Sequence, residues 1–229
     1  MCIRDSLNDV TLNSVSNDGN KPVITANGQN YTFDAVLYAT GRKPNTANIG
    51  LENTDITTNE RGAIVVNDTC ESSVPGVYAV GDVNGGPQFT YISLDDFRIV
   101  FGALTGNGQY TLKDRKNIPY TTFLTPPLAR VGLTEEDAIN KGYTVKTKEM
   151  LVATMPRAHV NDYLKGAFKI VVNADNDLIL GATLYSQGAE ELINLIKMAM
   201  DNNIPYTYFK NQIFTHPTMA ENLNDLCNF

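Results

Sequence analysis

The chain has 229 residues, 42% hydrophobic and 19% charged, which is enough to bury a substantial core in one or two domains and excludes a disordered protein. A formal charge of -7 with no stripe of Lys and Arg argues against a nucleic-acid or anionic-membrane surface. No run approaches the roughly 18 apolar residues of a membrane span, and Met1 to Ser6 has no signal-peptide core, so a cytoplasmic setting is expected.

Met1 to Ser6 fits neither a strand nor a helix pattern and is read as foreign to the fold. Residues 7 to about 40 then alternate short strands with turns: Val10 to Leu12, Asn17 to Asn20, Val23 to Thr25, Asn27-Gly28 and Tyr31 to Phe33. This predicts a small antiparallel meander. Ala35 to Gly41 is a continuous apolar run of the kind found in a strand covered on both faces. Gly41-Arg42-Lys43-Pro44-Asn45 follows it as a strand end, a fixed cation and a turn, where the glycine would let backbone approach a ligand.

Two further strands are expected at Ala63 to Val66 and Val77 to Val80, the second running into Gly81-Asp82. A glycine and a carboxylate at a strand's carboxyl end suit a ligand hydroxyl, and capping of the next turn explains the aspartate equally well. Gln88-Phe89-Thr90 leads into a helix of about 15 residues, with Ile92, Phe97, Val100, Phe101 and Leu104 as its apolar stripe. Gly106 to Gly108 ends that helix, and Gln109 to Asn117 reads as a linker.

Beyond it, strands are expected at Ile118 to Leu124, around Val131, from Tyr143 to about Met155, from Ala167 to Val172 and from Leu178 to Tyr185. Thr134 would cap a helix with an acidic first turn that stops at Lys141-Gly142. A second helix, from about Ala189 to Asn202, presents Leu192, Ile193, Ile196, Ala199 and Met200 on one face. The second half is therefore an α+β unit. His159 reads as an exposed loop residue without a role.

Cys2, Cys70 and Cys227 are too far apart for a Cys-x-x-Cys motif, and two histidines cannot complete an ordinary zinc site, so three free thiols and no metal are expected. Cys227 has one functional alternative, as a reactive thiol near the end of the chain. In Thr215-His216-Pro217-Thr218-Met219-Ala220-Glu221, proline should hold His216 extended just outside a helix that carries Glu221. A carboxylate on one ring nitrogen would orient the imidazole and favour its charged form, as proton transfer near neutral pH requires. Thr218-x-x-Glu221 also matches a capping box, which needs no catalytic role; spacing leaves both readings open.

His216-Pro217-Thr218-x-x-Glu221, Ala39-Thr40-Gly41-Arg42-x-Pro44-Asn45, Val77 to Asp82, Thr125-x-Pro127 and Val131 to Glu135 together resemble the flavoprotein disulfide reductases, the class I pyridine nucleotide-disulfide oxidoreductases. Pro156-Arg157-Ala158 and Leu223 to Leu226 are similar to the mercuric-reductase side of that family, among flavoproteins of reactive-chlorine resistance and hypothiocyanous acid reduction.

The resemblance implies a C-terminal portion: the tail of a nicotinamide-dinucleotide domain (1–40), the second segment of an FAD domain (41–116) and an α+β dimerisation domain (117–229). It implies the cofactors FAD and NAD(P)H, a homodimer and a small oxidised substrate. Gly41 and Arg42 would lie at the nicotinamide nucleotide. Gly81 and Asp82 would grip the flavin's ribityl chain, and Gln88, Phe89 and Thr90 would aim a helix start at a flavin carbonyl. His216 would be the acid/base serving the partner subunit's redox cysteines, held by Glu221. The Gly-x-Gly-x-x-Gly fingerprints and close cysteine pair of that family do not occur in these 229 residues, so the chain is expected to be a fragment inactive alone. A non-enzymatic dimerisation module is the alternative; within the enzyme class, dihydrolipoamide dehydrogenase or mercuric reductase.

Overall fold

The computed structural model describes residues 5–229. Cys2 and most of the Met1 to Ser6 stretch lie outside the described residues. The architecture is mixed, with two antiparallel sheets and helices concentrated in the second half. The chain divides into two compact units, one of residues through Val66 plus Ser72–Ser93, the other of Asn67–Glu71 plus Leu94–Phe229.

In the first unit, β1 (Leu12–Asp18), β2 (Lys21–Ala26) and β3 (Gln29–Thr32) form the expected meander in the order β1-β2-β3. Asn27 (φ 48°) and Gly28 (φ 76°) supply the two left-handed residues that a tight hairpin turn needs. The first strand differs from expectation: it begins at Leu12 and continues through Asn17 and Asp18, which pair with Pro22 and Lys21 across a two-residue turn.

Three expected strands do not form. Ala35 to Gly41 is irregular, with Leu37 89% exposed, because among the described residues no strand lies alongside to complete its ladder. Ala63 to Val66 reduces to one bridge, Ile64 to Thr58, closed by Asn59, whose side chain accepts from the amides of Arg61 and Ala63. Val77 to Val80 keeps a single bridge residue, Tyr78, and then enters a 3-10 turn, Gly81–Asn84.

Helix α1 (Thr90–Thr105) starts where expected, but its buried positions are Ile92, Asp96 and Ile99. Phe97, Phe101 and Leu104 are exposed. An ion cluster occupies the buried face. Arg115 Nε donates to Asp95 at 2.7 Å and Nη2 to Asp96 at 2.5 Å, with Asp96 fully buried. The segment expected to be a linker is thus held down; its Leu112 amide also donates to the Asp68 carbonyl.

The second unit is built on a five-stranded antiparallel sheet, ordered β4 (Tyr120–Thr122), β5 (Leu128–Gly132), β8 (Ile179–Tyr185), β7 (Ala167–Asn173), β6 (Val145–Leu151). Gly132 and Gly181 face each other across β5 and β8, and a Cβ on Gly181 would lie 2.1 Å from the Leu133 carbonyl oxygen, so only glycine fits. Helix α2 (Glu135–Asn140) has the expected cap, with Thr134 accepting from the Asp137 amide.

Helix α4 (Ala189–Asp201) buries Ala189, Leu192, Ile193, Ile196 and Ala199, the spacing of one helical face. Its core partners include Phe168, Ile170 and Val172 of β7 and Leu184 of β8, each fully buried. Helix α3 (Pro156–Val160) replaces the expected loop around His159, whose exposed ring places Nε2 2.8 Å from the Ala153 carbonyl. Pro156 favours this start because its fixed φ suits a first helical turn. Helices α5 (Tyr206–Asn211) and α6 (Leu223–Leu226) close the core, α6 against β6 and β7.

Replacing Arg115 with Met should cost about 3 kcal/mol, since Asp96 stays buried without its guanidinium. The shift of the denaturation midpoint measures this; a loss below about 1 kcal/mol would show that the cluster is not a buried charge network.

Cys70 and Cys227 are fully buried, and burial pushes their thiols up to about 11 and about 12 from an ordinary value of 9.0. The reactive-tail alternative for Cys227 therefore fails: a buried, protonated thiol is a poor nucleophile. At pH 8 a thiol reagent should label neither residue until denaturant is added, as mass mapping of the labelled peptides would reveal. Because the unfolded thiols ionise first, their contribution to stability should decline as pH rises from about 9 towards 11 to 12.

Candidate functional site

The C-terminal segment is an exposed loop on a buried base. Met219 is 9% exposed, Asn222 2%, and Leu223 and Leu226 are fully buried, which fixes the chain immediately after the loop. Thr218 Oγ1 donates to the Thr215 carbonyl at 2.8 Å and accepts from the Glu221 amide at 3.2 Å. The His216-Pro217 peptide is cis. Contrary to expectation, Pro217 is not in a helix's first turn; Thr218 ties back to Thr215, and helical structure starts only with the 3-10 turn Ala220–Asn222.

The Glu221 carboxylate meets His216 Nδ1 with its oxygens at 2.9 and 3.1 Å. Half of the capping geometry is therefore present through Thr218 and the Glu221 backbone, while the Glu221 side chain goes to the histidine. Glu221 is mostly buried, with its side chain 17% exposed against 72% for His216. A carboxylate accepting from Nδ1–H leaves Nε2, on the opposite ring edge, free to take or give a proton. The ring is held yet accessible.

The residues expected at the cofactors lie in the other unit. Gly81 is buried with φ +72°, and a Cβ there would lie 2.6 Å from Ser93 Oγ, so the 3-10 turn carrying Asp82 sits against the first turn of α1. This brings Gly81 and Asp82 beside the helix start that follows Gln88, Phe89 and Thr90. Asp82, Gln88, Phe89 and Thr90 are all exposed, and the Phe89 carbonyl accepts from the Ile92 and Ser93 amides to begin the helix. A carboxylate that accepts, next to helix-start donors, suits a polyhydroxyl chain and a partly anionic ring. Gly41 (φ +92°) and Arg42 are exposed on a separate segment of the same unit.

Sequence reasoning missed the groups that brace the tail. Lys148 on β6 donates to the carbonyls of Asp225 at 2.7 Å and Asn228 at 2.5 Å. Asn222 donates to the carbonyls of Thr218 and Met219, and Asn224 to those of Phe209, Lys210 and Gln212. The asparagine-rich tail was a visible signal for the last two. Nothing in the sequence connects Lys148 with residues 77 and 80 positions away.

Comparison with known proteins places the chain in a family. Residues 6–96 match the pyridine nucleotide-disulphide oxidoreductase model, and residues 118–227 match the dimerisation domain of the same oxidoreductases. The chain is 44% identical over 228 residues to the probable pyridine nucleotide-disulfide oxidoreductase RclA of Escherichia coli, covering 98% of this chain and 52% of that protein. A mercuric reductase of Staphylococcus aureus is 36% identical, covering 93% of this chain and 40% of the relative. The solved structure of the HOCl-induced flavoprotein disulfide reductase RclA from E. coli superposes with a TM-score of 0.89 at 44% identity, over 95% of this chain and 50% of that one. The chain thus spans about half the length of the RclA that it matches. With most of its residues matched by these two domain models, the chain belongs to the pyridine nucleotide-disulphide oxidoreductase family.

Proposed function

We propose that this chain is the C-terminal half of an FAD-dependent, NAD(P)H-driven disulfide or small-oxidant reductase, with the division near residues 40 and 117 given above. The observation that carries the reading is the His216–Glu221 contact at 2.9 Å on an exposed ring with a buried base. Glu221 holds Nδ1, and Nε2 gives a proton to the departing thiolate of the substrate and keeps the redox cysteines of the partner subunit in the required protonation state. The bound flavin supplies electron relay from NAD(P)H to those cysteines. Asp82 would accept from hydroxyls of the flavin's side chain, the α1 start at Gln88, Phe89 and Thr90 would face its ring with the positive end of the helix dipole, and Gly41 with Arg42 would lie at the nicotinamide nucleotide.

A homodimer fits the reading, because the histidine serves the other subunit's cysteines. Ile213 beside the loop is 95% exposed and Phe123 is 80% exposed, both suited to burial against a second copy. A small oxidised substrate and a cytoplasmic setting complete the proposal. Among the described residues no helix is long and apolar enough to cross a membrane.

The chain purified alone should be colourless and dimeric. Asp82 and one helix start do not replace a pyrophosphate-binding glycine loop. Stoichiometric flavin in the purified chain would overturn the half-enzyme reading, and a monomer by sedimentation at micromolar concentration would overturn the dimer.

In the full-length flavoprotein, His216→Ala should lower substrate-linked turnover by about 10²- to 10⁴-fold, while flavin reduction by NAD(P)H changes little. Glu221→Gln should also slow turnover, although glutamine would serve as well in a capping box. Unchanged turnover in His216→Ala would remove the acid/base role. Unchanged turnover in Glu221→Gln alone would leave the glutamate as a cap.

A further inference from the structure

The loop that carries His216 has a base as well as a tip. It leaves α5 at Asn211 and returns to the core at α6, so the ring's position depends on how these two ends are joined. Asn224 joins them. The two N–H groups of its side-chain amide are shared among three carbonyls, with Nδ2 2.6 Å from Phe209, 3.0 Å from Gln212 and 3.3 Å from Lys210. These are carbonyls of the last turn and C-cap of α5, where a helix runs short of backbone partners; the Phe209 oxygen also accepts from the Gln212 amide. One side chain on α6 therefore caps the helix before the loop and closes the loop at its root.

We infer that Asn224 is a positioning residue for proton transfer by His216: it fixes the span from Gln212 to Asn224 so that the ring points in one direction. The inference rests on the acid/base reading of His216 given above. Other contacts hold only parts of this span. Glu221 fixes the ring relative to residue 221, and Thr218 and Asn222 fix the turn within itself. The Asn224 amide ties the segment entering the loop to the helix leaving it. Without it, the buried Leu223 and Leu226 still hold α6, but the segment entering the loop at Gln212 loses its polar tie to that helix, so the ring and its carboxylate can shift together and lose aim at a reactant. Lys148 ties the tail to β6 through Asp225 and Asn228, and Tyr206 of α5 packs on Phe229 with ring centroids 4.9 Å apart, so Asn224 adds a polar tie to the apolar packing between α5 and the tail.

The test uses the full-length flavoprotein and a double-mutant cycle. Asn224→Asp keeps the shape but turns a carboxylate towards three carbonyl oxygens, and Asn224→Ala deletes the donor without adding charge. Each should lower substrate-linked kcat, by about 10- to 100-fold for Asp and less for Ala, with flavin reduction and the KM for NAD(P)H unchanged. In a His216→Ala background neither should cause a further loss, because the two residues act through one group. If Asn224→Asp fails to fold, Asn224→Ala with the same cycle decides. Equal losses with and without His216 would overturn the inference and leave Asn224 a stability residue. Wild-type turnover in both Asn224 variants, together with a large loss in His216→Ala, would overturn the positioning role alone. Wild-type turnover in His216→Ala would overturn both this inference and the reading on which it rests.

Discussion

Burial of one sheet face holds the second unit together. Phe168, Ile170 and Val172 alternate along β7 and enter a core completed by α4, α5 and the C-terminal residues Met219, Leu223, Leu226 and Cys227. The strand and the tail are some fifty residues apart in the chain, yet each completes the other's cover. Burial at roughly 25 cal/mol per Å² of apolar surface makes this packing the dominant local stabilisation. The tail is therefore part of the core, and a loop hung from it inherits the core's rigidity.

That arrangement gives the candidate site its character. A proton-transfer group needs access on one side and restraint on the other. His216 has an exposed ring, and its restraint comes through Glu221, whose chain neighbours Ala220, Asn222 and Leu223 belong to or border the core. The loop's own backbone oxygens are bonded by Thr218, Asn222 and Asn224 side chains, so an irregular segment is held without a ladder or a helix. Rigidity here comes from polar side chains at short range.

The ion cluster of Arg115 with Asp95 and Asp96 has a similar relation to α1. A helix with several apolar residues has more than one face that it could bury, and here Asp96 lies on the buried face with Ile92 and Ile99 while Phe97 and Phe101 are exposed. The buried carboxylate is met by the Arg115 guanidinium, and removing that partner would strand an uncompensated charge.

Local rules read from the sequence placed most of what is local. The Thr134 cap, the Asn27-Gly28 turn, the α1 start at Thr90 and the α4 face from Leu192 to Ala199 follow from adjacent residues and helical or hairpin geometry, and each forms in the structure. The motifs around Gly41, Gly81 and His216 likewise carried the family resemblance in the bare sequence, and the pairing of His216 with Glu221 needs only a five-residue turn. Tertiary structure decided whatever required a distant partner. Ala35 to Gly41 has strand composition but no adjacent strand among the described residues, and a ladder takes two strands. The buried face of α1 awaited Arg115, nineteen residues beyond Asp96. The bracing of the histidine loop awaited Asn224 reaching back to α5 and Lys148 reaching from β6. Spacing along a chain encodes contacts within a turn or two; contacts across a core depend on three-dimensional packing that spacing does not contain.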